Sequence, residues 1–165
     1  MTLPVPWAKV AQSALWWGFV ANVVFQGPAA LTLDGKGRIA MPARHRELLA
    51  AMGVTQLTVT KHPEGSLLIF PRPAWEQFRD RVAALPMDSS GWKRVFLGNA
   101  MDVEIDASSR VLIAPELRAA AGLVRDVMLL GMGSHFELWD AALYAAHEAE
   151  VMKSQLPDVL KEFTF

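Results

Sequence analysis

The stretch Ala30-Leu31-Thr32-Leu33-Asp34-Gly35-Lys36-Gly37-Arg38-Ile39-Ala40-Met41-Pro42 decides how this chain is read. A second version of it, Met101-Asp102-Val103-Glu104-Ile105-Asp106-Ala107-Ser108-Ser109-Arg110-Val111-Leu112-Ile113-Ala114-Pro115, returns in the second half. The shared frame is Asp-x-x-x-Arg between two alternating apolar runs: Leu31 and Leu33, then Ile39 and Met41, and later Val103 and Ile105, then Val111 and Ile113. Such alternation marks half-buried strands, and the small or polar residues between Asp and Arg mark a tight connection. Each copy therefore reads as strand, turn, strand, and the duplication predicts two equivalent half-domains.

Outward from the first copy, Pro42 opens a helix through Met52 that Gly53 closes. Gln56 to Lys61 and Ser66 to Phe70 read as a hairpin around His62-Pro63-Glu64-Gly65. Pro71 and Pro73 lead into a helix from Ala74 to Leu85, with Trp75, Phe78, Val82 and Leu85 on one face. After the second copy the same order returns: Pro115 opens a helix Glu116 to Ala121, and Val127 to Leu130 pairs with Phe136 to Trp139 around Gly131-Met132-Gly133-Ser134. A helix from Asp140 to about Met152 follows. Tyr144 stands five residues beyond Trp139, as Trp75 stands five beyond Phe70. Both units have the outline β-β-α-β-β-α. The expected divisions are an N-terminal extension over 1–23, a first unit over 24–86, a connector over 87–100, a second unit over 101–152 and a tail over 153–165. Within the connector, Trp92 to Asn99 fits a short helix or a strand equally.

The chain has 165 residues, 52% hydrophobic and 20% charged, within the globular range. It has no cysteine, which excludes disulfides, thiolate metal sites and cysteine nucleophiles. The formal net charge of −1 conceals an uneven distribution, with cations gathered between Lys36 and Arg94 and an acidic balance after Asp102. The N-terminal residues differ in texture, with Trp7, Trp16 and Trp17 close to an apolar run too short for a bilayer span of about 20 residues.

Taken alone, each Asp-x-x-x-Arg pair has two readings: a charge-assisted bond that closes a turn, or an arginine held out for a partner. An exposed pair contributes only about 0 to 1 kcal/mol, a weak reason to build it twice. Gly35-Lys36-Gly37 permits close backbone approach and adds a cation, whereas Ala107-Ser108-Ser109 carries no charge. Arg44-His45-Arg46 at a helix start would ordinarily be a solvated face. Together with Lys36 and Arg38 it makes a cationic cluster suited to phosphates and guanine edges. Lys36, Arg38, Arg44 and Arg46 are therefore the candidate DNA-binding residues, and Asp34, Asp106 and Arg110 the candidate turn-stabilising ones. His45, His62, His135 and His147 lack metal-ligand spacing and read as surface or interface residues. Gly131-Met132-Gly133-Ser134-His135 lacks the ending of a phosphate loop and reads as a turn. No nucleophile elbow is present and no paired carboxylates lie in a setting that would raise the pKa of one, so no catalytic residue, cofactor, metal or small-molecule substrate is expected.

Phe25-Gln26-Gly27, Leu33-Asp34-Gly35-Lys36-Gly37-Arg38, Pro42-Ala43-Arg44-His45-Arg46, Leu67-Leu68-Ile69-Phe70-Pro71, Phe96-Leu97-Gly98-Asn99-Ala100, and Asp106 to Arg110 with Pro115-Glu116-Leu117-Arg118 together resemble the MraZ family of bacterial transcriptional regulators. The resemblance runs from about residue 24 to the C-terminus. It implies an α+β, β-rich fold in which two AbrB-like units form a double-split β-barrel with flanking helices, and subunits that assemble into a ring. It also implies a cytoplasmic, nucleoid-associated repressor of its own cell-division and cell-wall gene cluster, binding repeated elements in double-stranded promoter DNA, with no membrane partner. The family motif falls on Asp34 and Arg38 and again on Asp106 and Arg110, the first copy being the expected DNA contact. Family members usually begin just before the Phe-Gln-Gly, where Val24 stands here, so residues 1–23 are expected to be an upstream translational extension. The competing function is an oligomeric protein-interaction module related to antitoxins.

Overall fold

The structure is a computed structural model that describes residues 24–164, and the expectations for the N-terminal extension lie outside the described residues. Eight strands occur among them: β1 Phe25–Thr32, β2 Arg38–Ala40, β3 Gln56–Lys61, β4 Leu67–Pro71, β5 Met101–Glu104, β6 Arg110–Leu112, β7 Asp126–Gly133 and β8 Phe136–Asp140. The helices are α1 Ala43–Ala51, α2 Arg72–Ala83, α3 Ser90–Phe96, α4 Pro115–Ala120, α5 Ala141–Lys153 and α6 Asp158–Lys161, with a 3-10 turn at Met87–Ser89. The connector, open between helix and strand in the sequence, resolves into that turn and α3. Asn99 caps α3 by donating from its amide to the carbonyls of Arg94 and Val95.

The strands around each Asp-x-x-x-Arg turn do not pair with one another. β1 pairs antiparallel with β7, β5 with β3, and β2 with β6. The large sheet has the order β1-β7-β8-β4-β3-β5, and β2 and β6 make a separate two-stranded ribbon. Exchanging β1 with β5, β2 with β6, β3 with β7 and β4 with β8 reproduces this order reversed. The two units are thus related by an approximate twofold axis passing between β4 and β8, and each lends its first strand to the other's sheet half.

Burial explains the strand patterns. In β4, Leu67 and Ile69 face the main core with Phe25, Ile39, Val111, Phe136 and Leu138, while Leu68 and Phe70 face a second cluster with Trp75 of α2. A strand covered on both faces needs a continuous apolar run, which Leu67 to Pro71 supplies. The aromatic match between units is geometric as well as sequential. Ring centroids of Phe70 lie 5.7 Å from Trp75 and 4.8 Å from Phe78, while those of Trp139 lie 5.8 Å from Tyr144 and 4.8 Å from His147.

Three expectations need correction. β1 begins at Phe25 rather than Leu31 and includes Pro28, which is tolerated because β1 is an edge strand. β7 continues through Gly131, Met132 and Gly133, which the sequence placed in the hairpin turn. Gly131 is required there by close backbone approach, since a Cβ at that position would stand 2.3 Å from the Gln26 nitrogen. The third concerns His45, read as a surface or interface residue: it is buried among Phe25, Phe136 and the main core. Its counterpart in the second unit, Leu117, is buried as well, so the helix turns the same face inward in both.

Candidate nucleic-acid interface

The first turn is built on Asp34. Its Oδ1 accepts from the backbone N–H of Lys36 and of Arg38, each at 2.9 Å, and its Oδ2 accepts from Arg38 Nε at 2.7 Å. These bonds, led by the one from the Arg38 backbone, favour the carboxylate and lower its pKa from 3.8 to about 2. The turn is therefore stabilised above the ordinary carboxylate range, and that contribution is lost as pH falls from about 3.8 toward 2.

The second turn repeats every bond. Asp106 Oδ1 accepts from the Ser108 and Arg110 backbones at 2.8 and 2.9 Å, its Oδ2 accepts from Arg110 Nε at 3.1 Å, and its pKa is lowered chiefly by the Arg110 backbone. In both turns the carboxylate grips Nε alone. The terminal nitrogens of Arg38 and Arg110 donate to no acceptor among the described residues.

The ribbon places these two arginines together. Arg38 pairs with Leu112 and Ala40 with Arg110, while Ile39 pairs with Val111. Residues directly opposite in an antiparallel pair share a face. Ile39 and Val111 are fully buried, so Arg38, Ala40, Arg110 and Leu112 form the outer face. Two further bonds lengthen the ribbon symmetrically, from Ile113 N–H to the Gly37 carbonyl and from Met41 N–H to the Ser109 carbonyl, each 2.9 Å.

The two halves share a left-handed backbone at one position but place different residues there. Gly37 has φ +78°, and its counterpart Ser109 reaches φ +60° with a side chain attached. Arg118 crosses directly over Gly37, where a Cβ would stand 2.5 Å from its guanidinium carbon, and its Nε donates to the Ile113 carbonyl at 3.0 Å. Arg118 thus adds a cation beside the first turn that sequence reasoning did not single out. The repeat held the signal, since Arg118 stands eight residues after Arg110 as Arg46 does after Arg38.

The remaining candidates are distributed unequally. Lys36 is exposed at the tip of the first turn, and Arg46 is exposed on α1 with no side-chain hydrogen bond among the described residues. Arg44 turns instead toward β1, where one Nη donates to the Pro28 carbonyl at 2.7 Å and the guanidinium lies against Gly27. His45, between them, has its pKa lowered by burial first and by the Arg44 charge second. No cluster of three or more metal-ligating side chains occurs among the described residues.

The sequence model described as "MraZ protein, putative antitoxin-like" matches residues 24–91 and 96–161. The chain belongs to the MraZ family. Within it, a relative from Methylibium petroleiphilum named transcriptional regulator MraZ is 70% identical over 146 residues, 88% of this chain and all of that one. A relative of the same name from Leptothrix cholodnii is 63% identical over 88% of this chain and all of its own length. Another MraZ, from Variovorax paradoxus, is 61% identical over 86% of this chain and its own entire length.

Proposed function

We propose that the protein is a sequence-specific DNA-binding transcriptional regulator, mainly a repressor, that binds repeated elements in the promoter of its own cell-division and cell-wall gene cluster. The observation that carries this reading is the β2–β6 ribbon, whose outer face holds two arginines clamped at Nε by their own aspartates. A guanidinium fixed on one edge loses little rotamer freedom when its other edge meets a phosphate or the O6 and N7 of guanine. A two-stranded ribbon also fits the major groove of B-form DNA, about 12 Å wide.

In this reading Lys36 and Arg46 contact phosphates, and Arg38 contacts base or phosphate. Arg44 supports the site from its seat on Pro28. The shared face brings Arg110 into the interface beside its role in the turn. The protein works in the cytoplasm on the nucleoid as a ring-shaped homo-oligomer, whose repeated ribbons engage repeated sites with avidity. A second reading, a protein-interaction module, is favoured by the antitoxin-like description of the family.

Gel-shift titration on the protein's own upstream DNA, repeated across salt, separates the two. Phosphate contacts give a log–log salt slope of about −0.9 for each neutralised phosphate, and a protein-interaction module gives no binding. Arg38→Ala and Arg110→Ala should each weaken specific binding by about 1–3 kcal/mol, with an unchanged sedimentation profile. Normal binding by both variants would overturn the assignment of the site.

A further inference from the structure

We infer that Leu112 is a base-reading residue that recognises the 5-methyl group of thymine beside the Arg38 contact. The inference rests on the DNA-binding reading above and names what one residue of that face reads. An exposed leucine is ordinary on a protein surface. The placement of this one is not. It is 47% exposed, it is the direct cross-strand partner of Arg38, and the other outer positions of the ribbon are two arginines and an alanine.

The backbone of the pair is rigid, because Asp34 fixes Arg38 on one strand while Val111 and Ile113, fully buried, anchor Leu112 from both sides on the other. In the major groove the thymine C5-methyl is the one apolar feature that a base pair presents, and it stands beside the hydrogen-bonding edges that arginine reads. An aliphatic side chain one cross-strand step from a guanidinium is placed to touch a methyl group on a base neighbouring the one the guanidinium contacts. The counterpart of Leu112 in the first unit is Ala40, which is too short to fill the same space. The ribbon face is therefore twofold in its arginines and one-sided in its apolar contact.

The test is a double-mutant cycle on the full chain with two versions of the duplex footprinted in its own upstream region. One contains thymine and the other deoxyuridine at every thymine position, which removes the methyl groups and leaves every hydrogen-bonding group in place. The wild-type protein is expected to bind the deoxyuridine duplex about fourfold more weakly for each methyl group contacted. Leu112→Ala should bind the thymine duplex with the same loss and no longer distinguish the two, while Leu112→Met should retain the distinction. A wild-type protein indifferent to the methyl groups, or a Leu112→Ala variant that still prefers thymine, overturns the inference while leaving DNA binding intact. Absence of salt-dependent binding to either duplex overturns the DNA-binding reading itself.

Discussion

At the scale of single residues, the molecule uses one arrangement twice and varies it at a few positions. His45 and Leu117 occupy matching core seats, but the imidazole brings Nδ1 into the core without a hydrogen-bond partner among the described residues. Burial and Arg44 both oppose its protonation, so its folded pKa lies below 6.5 and the unfolded chain takes up the proton more readily. Stability should accordingly fall as pH drops below about 6.5. His135, also pushed down by burial, should act in the same direction. His45→Leu is expected to raise stability by on the order of 1 kcal/mol at neutral pH and to flatten, without abolishing, the decline toward pH 5, as read from urea unfolding at a series of pH values. The Asp-x-x-x-Arg pairs were legible in the sequence because their bonds are local, within four residues. The turning of Arg44 onto Pro28 was not, because it depends on β1 lying against α1. The inward seat of His45 was half legible, since the repeat sets it opposite a leucine.

Among the elements, the ribbon and the β1–β7 pair each depend on the residue at one backbone position. Ser109 adopts a left-handed backbone that glycine occupies in the first copy, a conformation that costs an ordinary residue about 1–2 kcal/mol. Ser109→Gly should raise Tm by about 2–4 °C after allowing for the greater freedom of glycine in the unfolded chain, as measured by calorimetry. Gly131→Val should do the opposite, because its side chain would enter the space of the Gln26 backbone. A loss of at least about 3 kcal/mol is expected, with hydrogen exchange showing lost protection over residues 25–32 before the rest of the sheet. Periodicity identified most of the strands and helices, since burial on one or two faces writes itself into local composition. It could not say which strand pairs with which. It also misplaced Gly131, because a glycine needed for close backbone approach within a strand looks like a turn residue until the neighbouring strand is known, and Gly133, whose φ of +85° ends the strand in a conformation that turns share.

For the whole molecule, the exchange of first strands means that neither half contains a complete set of partners. β1 faces β7 with Phe25 opposite Gly133, and β5 faces β3 with Val103 opposite Leu57. A chain ending at residue 100 keeps the β3–β4 hairpin and α1 to α3 but leaves β1 without β7 and the ribbon without β6. Such a fragment is expected to lack a cooperative thermal transition, and adding a fragment that begins at residue 101 should restore one, as followed by circular dichroism. The same interleaving sets an order of events during synthesis. Phe25 is among the first described residues to leave the ribosome, yet its partner strand is completed only when Gly133 has emerged. Throughout that interval an apolar edge of the nascent chain has no native neighbour. Slow translation should therefore lengthen its exposure to chaperones and to other nascent chains rather than help it fold.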